Sequence, residues 1–236
     1  GCNQGFVVFR DHVLVIDADF PGQRMRFRSS TNAEDVSGFN GAGLYESRTY
    51  DPEDPEKPLL NAVRQVWASV YSDRAFAERE YYGIDHRNIG MALLSHRGFP
   101  TEDANGVAIT ANVFDPAGVE PAFYVNVQRG DESVVQPEPG VTTDQLLYYY
   151  QQPGQPLVYL FRSSLVAPGE TVISTAQAHE LGSALQAIHD LFLPIYGQTA
   201  GFYGMDVEFK FNTEPKTGTR LVIKQARPYP GWGTEP

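Results

Sequence analysis

Cysteine is almost absent from this chain of 236 residues, since Cys2 is the only one. One cysteine cannot form an internal disulfide, which excludes a small secreted fold held by disulfides. Runs of about 18 to 20 apolar residues are also lacking, so the sequence predicts no membrane-spanning helix. There is no acidic, Ser/Gln-rich or Gly-X-Y tract, and 42% of the residues are hydrophobic. This composition predicts a globular protein and excludes disordered and fibrous classes.

Basic residues are scarce relative to acidic ones. The chain has 18 Lys and Arg against 29 Asp and Glu, a formal net charge of −11. A surface of this sign repels phosphate backbones and anionic lipids, so we expect no nucleic-acid or membrane-surface partner. An anionic ligand must then be held locally by a few arginines, a helix N-terminus or a metal.

The first residues of the sequence bear on localisation. No signal peptide is visible, and the simplest interpretation is a cytoplasmic protein or fragment. The opening pair Gly1 and Cys2 leaves open the alternative of a lipoprotein anchored at Cys2.

Hydrophobic periodicity predicts an α+β chain with most strands in its second half. Helices are expected at residues 59–71, 75–82 and 176–193. Strands are expected at residues 6–9, 13–16, 91–95, 106–114, 122–128, 133–136, 157–162, 205–211 and 220–227. We divide the chain into an N-terminal remnant, a helical part with a glycine-rich loop, and a sheet-rich part, at residues 1–23, 24–100 and 101–236.

The last two expected strands form the most informative element. Apolar and polar residues alternate in the first strand, so Asp206 and Glu208 share one face. If the hairpin turns between residues 216 and 217, Glu208 lies opposite Gln225 and Asp206 opposite Arg227. The same alternation predicts that residues 221 and 223 share the face of Gln225 and Arg227.

This combination of side chains suits a metal-bound phosphate ligand. Mg²⁺ prefers hard oxygen donors, which Glu208 and the Gln225 side-chain carbonyl supply. It is usually also coordinated by substrate phosphates. The planar guanidinium of Arg227 can hold two phosphate oxygens. The alternative is a solvated hairpin face with a cross-strand ion pair.

A second candidate site follows Arg28. The segment Arg28-Ser-Ser-Thr precedes a loop that contains Gly38, Gly41 and Gly43. A cation, hydroxyl groups and closely approaching backbone N–H groups together can bind phosphates. A plain surface loop is the alternative.

Five segments in order resemble one known family. They are Arg28-Ser-Ser-Thr-Asn-Ala-Glu-Asp, Trp67-Ala-Ser-Val-Tyr-Ser-Asp-Arg-Ala-Phe, Gly83-Ile-Asp-His, Gly106-Val-Ala-Ile-Thr, and Asp206-Val-Glu-Phe followed by Lys224-Gln-Ala-Arg-Pro. Between about residues 24 and 230 the chain resembles the nucleotide-binding domain of pyruvate phosphate dikinase and phosphoenolpyruvate synthase. The resemblance implies an ATP-grasp fold with a mixed or antiparallel sheet. It also implies phosphoryl transfer from ATP, with Mg²⁺, to a histidine on a separate swivelling domain, and a pyruvate-like small substrate.

The resemblance also implies residue roles. Arg28 is similar to the family's phosphate-contacting arginine, and Glu208 and Gln225 are similar to its metal ligands. Asp206 and Arg227 match the acidic and cationic residues beside those ligands and complete the expected catalytic set with Arg28. We further expect Gly41 and Gly43 to lie in a loop over the phosphates of the nucleotide. Asp131 or Glu132 is expected to face its adenosine side.

Departures from the family pattern lead to the other hypotheses. Relatives place a lysine ahead of the arginine motif, but no lysine precedes Arg28, so we expect a truncated N-terminal subdomain. The loop Gly41-Ala-Gly-Leu-Tyr lacks a threonine that many relatives have. No phosphohistidine motif is present, so the acceptor would act in trans or in a removed region. The alternatives are an inactive nucleotide-binding or structural domain, and a dikinase acting on a glucan or an antibiotic.

Overall fold

A computed structural model describes residues 5–7, 22–36, 39–41, 43–98, 102–115, 117–135, 137–197, 202–214, 217–229 and 231. The chain divides into two compact units, Gly1–Pro100 and Thr101–Pro236. Cys2 and the expected strand at residues 13–16 lie outside the described residues. No helix within the described residues is long and apolar enough to cross a membrane.

The N-terminal unit combines a four-stranded antiparallel sheet with short helices. The strands of this sheet are β1 (Gly5–Val7), β2 (Met25–Thr31), β5 (Arg48–Tyr50) and β6 (Met91–Arg97), in the order β1-β6-β2-β5. A separate pair is formed by β3 (Asp35–Val36) and β4 (Phe39–Asn40). The helices are α1 (Leu59–Ala68) and α2 (Asp73–Tyr81), with 3-10 turns at Ser69–Tyr71 and His86–Asn88.

Two small apolar clusters hold this unit. Helix α1 buries Ala62, Val63 and Val66, which pack with β2 and β6 residues such as Phe27. Helix α2 begins at an N-cap, Ser72, whose side chain accepts the Ala75 N–H. Its buried face joins a second cluster.

The C-terminal unit is built on a six-stranded antiparallel sheet. Its strands are β7 (Ala104–Ile109), β8 (Phe123–Arg129), β9 (Asp144–Tyr148), β10 (Leu157–Phe161), β11 (Met205–Glu214) and β12 (Gly218–Pro228), in the order β10-β9-β8-β7-β11-β12. The long helix α3 (Thr175–Tyr196) begins with a capping box between Ser174 and Gln177. Its residues Leu181 and Leu185 are almost fully buried against one face of this sheet.

The predicted elements agree with the structure in class but differ in detail. The α+β class is confirmed. The expected strand at residues 133–136 is wrong, because described residues 133–135 form an irregular loop. Strands β2 to β5 and β9 were not predicted. Strand β7 ends at Ile109 rather than at residue 114, and the Asp115 N–H donates to the Asn112 carbonyl oxygen, so residues 112–115 form a turn.

The hairpin of β11 and β12 contains one bulge. Its register pairs Asp206 with Arg227 and Glu208 with Gln225, so the predicted pairing is confirmed. Beyond Glu208 the register shifts and Lys224 is the extra residue. The predicted face of residues 221 and 223 is therefore wrong, because these residues pair with Phe211 and Phe209 on the core side.

Candidate functional site: the polar face of the β11–β12 hairpin

Asp206 and Arg227 form a hydrogen-bonded ion pair across the hairpin. Asp206 Oδ2 accepts from Arg227 Nε at 3.0 Å and from a terminal guanidinium nitrogen at 2.8 Å. The side chains are 18% and 23% exposed, so both remain accessible to a ligand. Among the described residues, Asp206 Oδ1 receives no hydrogen bond. The pair thus orients the guanidinium while it leaves one carboxylate oxygen for another contact.

Glu208 and Gln225 form the next pair on the same face. They lie directly opposite each other, and both side chains are half-buried. Side chains directly opposite in an antiparallel pair have Cβ atoms about 4.5–5.5 Å apart. A carboxylate and a carboxamide oxygen are therefore held close together beside the Asp206–Arg227 pair. The bulge at Lys224 makes this possible, because it keeps Ile223 on the core side while Gln225 faces Glu208.

A lysine continues the same face. Lys210 is only 3% exposed, and its ammonium lies 3.0 Å from Glu102 Oε1. Alternation along β11 places Lys210 on the side of Asp206 and Glu208. The family motifs assign Lys210 no role, although its place in the alternating pattern is a signal for it. The face therefore includes the cations Lys210 and Arg227 within one hairpin.

The neighbouring strands hold a loop against this face. Asn105 in β7 pairs with Lys210, and its amide donates to the carbonyl oxygens of Gly130 and Glu132 at 2.8 and 2.9 Å. Asn126 in β8 donates to the carbonyl oxygen of Val134 at 3.0 Å. Asp131 is an exposed residue of this loop. The loop that carries Asp131 and Glu132 is thus fixed to the sheet by side-chain amides.

Tyr124 lies on the same face of the sheet, in β8, two strands away from β11. It pairs with Ile109 and donates its hydroxyl to Gln145 Oε1 at 2.9 Å. Burial raises the pKa of Tyr124, so its phenol stays protonated and remains a donor. This end of the face is therefore aromatic and neutral, whereas the hairpin end is charged.

Arg28 belongs to the N-terminal unit. It lies in β2, pairs with Leu94 in β6, and is half-buried. Because it alternates with the fully buried Phe27, its side chain lies on the sheet face away from the α1 core.

Two glycines of the loop after β2 have different structural roles. Gly41 is buried, its N–H donates to the Glu34 carbonyl at 2.6 Å, and a Cβ there would lie 3.1 Å from the Glu34 backbone. Gly43 has φ of +71° and open space around the position of a Cβ. Gly41 is needed for close backbone approach and Gly43 for a left-handed conformation.

The predicted site residues therefore fall into three groups. The hairpin brings Asp206, Glu208, Gln225 and Arg227 together on one face. Asp131 lies in a loop of the same unit. Arg28, Gly41 and Gly43 lie in the N-terminal unit. One residue that has no signal in the sequence, Arg79, is 1% exposed and contacts the loop that follows Gly43.

The oxygen donors of the hairpin fit Mg²⁺. Among the described residues, no group of three or more His, Cys, Asp and Glu side chains is placed to hold a metal. A closed zinc or calcium cage is therefore not formed by those residues. Mg²⁺ keeps several waters and takes one or two protein oxygens together with substrate phosphates. Glu208 and Gln225 match that smaller requirement.

Comparison with known proteins gives the family. The model of the family described as "Pyruvate phosphate dikinase, AMP/ATP-binding domain" matches residues 15–236. Phosphoenolpyruvate synthase of Aquifex aeolicus is 31% identical over 124 residues, which are 52% of this chain and 14% of the relative. A rifampicin phosphotransferase of Streptomyces sp. is 32% identical over 93 residues, 39% of this chain and 10% of the relative. Phosphoenolpyruvate synthase of Escherichia coli is 27% identical over 128 residues, which are 54% of this chain and 16% of the relative.

These matches cover only a small part of each relative, between 10% and 16% of its length for these three. They therefore concern one region of a much longer enzyme. The family model, in contrast, matches nearly the whole chain. This chain belongs to the family of pyruvate phosphate dikinase AMP/ATP-binding domains, an ATP-binding family, and has an α+β, ATP-grasp-like fold.

Proposed function

We propose that this chain binds Mg·ATP and takes part in phosphoryl transfer from ATP to a histidine acceptor on a separate swivelling domain. The observation that carries the proposal is the pairing in one hairpin of Asp206 with Arg227 and of Glu208 with Gln225. In intact systems of this type, the phosphoryl group would pass from the histidine to pyruvate or a similar small substrate. The chain would then be the ATP-dependent part of a phosphotransferase.

The hairpin residues have distinct roles in this proposal. Glu208 and Gln225 would hold Mg²⁺, and Asp206 fixes the guanidinium of Arg227 by two hydrogen bonds. Bound Mg²⁺ would neutralise charge on the phosphate oxygens. Arg227 binds phosphate oxygens and stabilises charge that develops during transfer. Positioning and charge neutralisation supply the catalysis, so no protein nucleophile is required.

The other predicted residues bind the nucleotide. Arg28 contacts phosphate, and the loop with Gly41 and Gly43 offers its backbone N–H groups. Asp131 or Glu132 lies on the adenosine side, on a loop that Asn105 fixes to the same sheet face. Support comes from the family, which binds ATP. It also comes from the net charge of −11, because an anionic ligand on such a chain must be held by a few placed arginines, here Arg28 and Arg227.

Calorimetric titration of the 236-residue chain with ATP, with and without Mg²⁺, tests the proposal. We expect ATP to bind more tightly with Mg²⁺, and Glu208→Gln to weaken Mg²⁺-dependent binding more than metal-free binding. Glu214→Gln on the same strand is the matched control, because it changes the charge equally at the other end of β11. No heat at millimolar ATP would contradict the proposal. Equal losses with and without metal would remove Glu208 from the ligand set.

An antibiotic acceptor is a second candidate. The relatives named rifampicin phosphotransferase favour it, because they match the chain at identities similar to those of the synthases. Two reactions test this, each containing this chain and ATP labelled in its β- and γ-phosphates. One reaction also contains the histidine domain of a synthase, and the other contains that of a rifampicin phosphotransferase. Preferential labelling of the second domain would support the antibiotic acceptor. Binding of ATP without labelling of either domain would favour an inactive nucleotide-binding domain.

A further inference from the structure

Arg79 is a buried cation that the proposed chemistry does not use. It lies in α2 and is 1% exposed, beside the fully buried Ala75. Its guanidinium donates to the Val70 carbonyl at 2.6 Å, to Tyr45 Oη at 3.3 Å and to His86 Nδ1 at 3.1 Å. None of these partners is a carboxylate.

Packing alone does not account for such a residue. Taking a charge out of water costs several kcal/mol, and neutral partners repay this only in part. An apolar side chain of similar length would fill the same space without that cost. What distinguishes Arg79 is that its three donors reach three separate segments of the N-terminal unit.

One route from Arg79 runs through Tyr45. The Tyr45 hydroxyl accepts from Arg79 and donates to the Ala33 carbonyl at 3.1 Å. Tyr45 follows Gly43 by two residues, and Ala33 lies in the turn that follows β2, the strand of Arg28. One hydroxyl thus joins the glycine loop to the end of the Arg28 strand.

A second route runs through His86. Because Arg79 donates to Nδ1, the imidazole proton is on Nε2, which donates to Glu80 Oε1 at 2.7 Å. His86 begins the 3-10 turn that ends at Asn88. The Asn88 carbonyl accepts from the Asn32 side chain at 2.8 Å. Both routes therefore end at Asn32 and Ala33, directly after β2.

We propose that Arg79 is a positioning residue that fixes Arg28 and the loop residues Gly41 and Gly43 relative to each other for phosphate binding. This inference rests on the proposed function, because it assumes that Arg28 and the loop bind ATP. Arg79 acts through Tyr45 and His86 and does not itself contact the ligand.

Tyr45→Phe is the sharpest test, because it removes only the hydroxyl that joins Arg79 to Ala33. We expect ATP binding to weaken about three- to tenfold, which corresponds to the loss of one or two buried hydrogen bonds. Arg79→Gln should weaken it at least about tenfold, and Arg79→Lys should restore part of the affinity. Arg74→Gln is the matched control, since Arg74 lies on the same helix, is exposed and loses the same charge. It should bind ATP as the parent chain does.

A double-mutant cycle separates positioning from general destabilisation. If Tyr45 acts through Arg28, Tyr45→Phe should weaken ATP binding in the parent chain but not in an Arg28→Gln background. Independent losses that multiply would contradict the inference, as would unchanged ATP affinity in Tyr45→Phe. If Arg79→Gln fails to fold, Tyr45→Phe alone decides. Absence of ATP binding by the parent chain would instead refute the proposed function, so the two failures are distinguishable.

Discussion

The two units of this protein position their proposed ligand-binding residues by different means. In the C-terminal unit, the residues lie on a long hairpin whose opposite side is the main apolar core, including the fully buried Val207, Phe209 and Phe211. In the N-terminal unit, the clusters are small, and the segments that carry Arg28 and Gly41 are joined by a short β3–β4 pair and a few hydrogen bonds, such as Gly41 N–H to the Glu34 carbonyl and Tyr45 Oη to the Ala33 carbonyl.

This difference has an energetic consequence. Strand pairing distributes the position of Glu208 over many backbone hydrogen bonds and a large buried area, so no single polar contact decides it. The N-terminal loop depends on a few backbone, hydroxyl and guanidinium hydrogen bonds, each worth about 0.5–3 kcal/mol. We therefore expect core changes in the C-terminal unit to cost more stability than loop changes in the N-terminal unit.

Phe209→Ala should have the largest effect. The side chain is 0% exposed in the sheet core, and truncation of such a phenylalanine costs about 3–5 kcal/mol. Its cross-strand partner Ile223 is 37% exposed and supplies the matched control. Ile223→Ala should cost clearly less, because less apolar area and no closed cavity are involved. Urea unfolding measures the free energy of unfolding of both variants. Equal losses would show that burial of Phe209 in the sheet core does not stabilise the hairpin more than the exposed Ile223 does.

Asp144→Asn tests a polar network within the same unit. The buried carboxylate accepts the Ser163 N–H at 2.8 Å and the Val172 N–H at 2.7 Å. An amide can accept only one of these, so we expect a loss of about 1.5–3 kcal/mol. Asp190→Asn on the exposed side of α3 should change stability by about 0.5 kcal/mol or less. Faster amide exchange at Ser163 and Val172 would locate the damage, and unchanged exchange would contradict it.

The fold was predictable where periodicity was strong. The α+β class, the long helix and the pairing of Asp206 with Arg227 follow from period 3.6 and period 2. Strict alternation could not reveal the bulge at Lys224, because an extra residue leaves no local sequence signal. The missed strand β9 reads Asp-Gln-Leu-Leu-Tyr, a short apolar run that does not alternate because Leu146 and Leu147 are both buried.

For the candidate site, the sequence predicted the polar side chains of the hairpin but not the buried contacts of Arg79. Asp206, Glu208, Gln225 and Arg227 could be paired from the sequence because one hairpin holds them. The position of Arg79 could not be found this way, since Tyr45 is 34 positions away in the sequence and Val70 contributes only its backbone carbonyl. Tertiary contacts of this kind are fixed only by the folded chain.

Gly41→Ala and Gly43→Ala sharpen the comparison from the N-terminal side. A Cβ at Gly41 would lie 3.1 Å from both Glu34 Cα and Phe39 Cε1, so we expect a loss of about 1–2 kcal/mol from crowding. Gly43 has open space but a φ of +71°, and alanine there should cost about 1 kcal/mol through backbone strain. Asparagine tolerates that conformation, so Gly43→Asn should recover stability whereas Gly41→Asn should not. Thermal unfolding distinguishes them, and rescue at both positions would refute the crowding at Gly41.

The smallest expected effect is a pH dependence in the C-terminal core. His189 packs against Phe123 and Tyr203, and its Nδ1 lies 3.1 Å from Thr110 Oγ1. Burial lowers the pKa of His189 below its ordinary 6.5, and the charge of Asp190 and a hydrogen bond to the Thr110 backbone oppose the shift.

The unfolded chain therefore binds this proton more readily than the folded chain, and stability from His189 is complete above about pH 6.5 and falls as the pH drops towards the lowered value. Urea unfolding at pH 7.5 and 5.5 should show a smaller loss for His189→Asn than for the parent chain. An identical loss would mean that the sheet core adjusts to a charged imidazole. The contrast between a rigid C-terminal core and an adjustable N-terminal loop would then fail at this position.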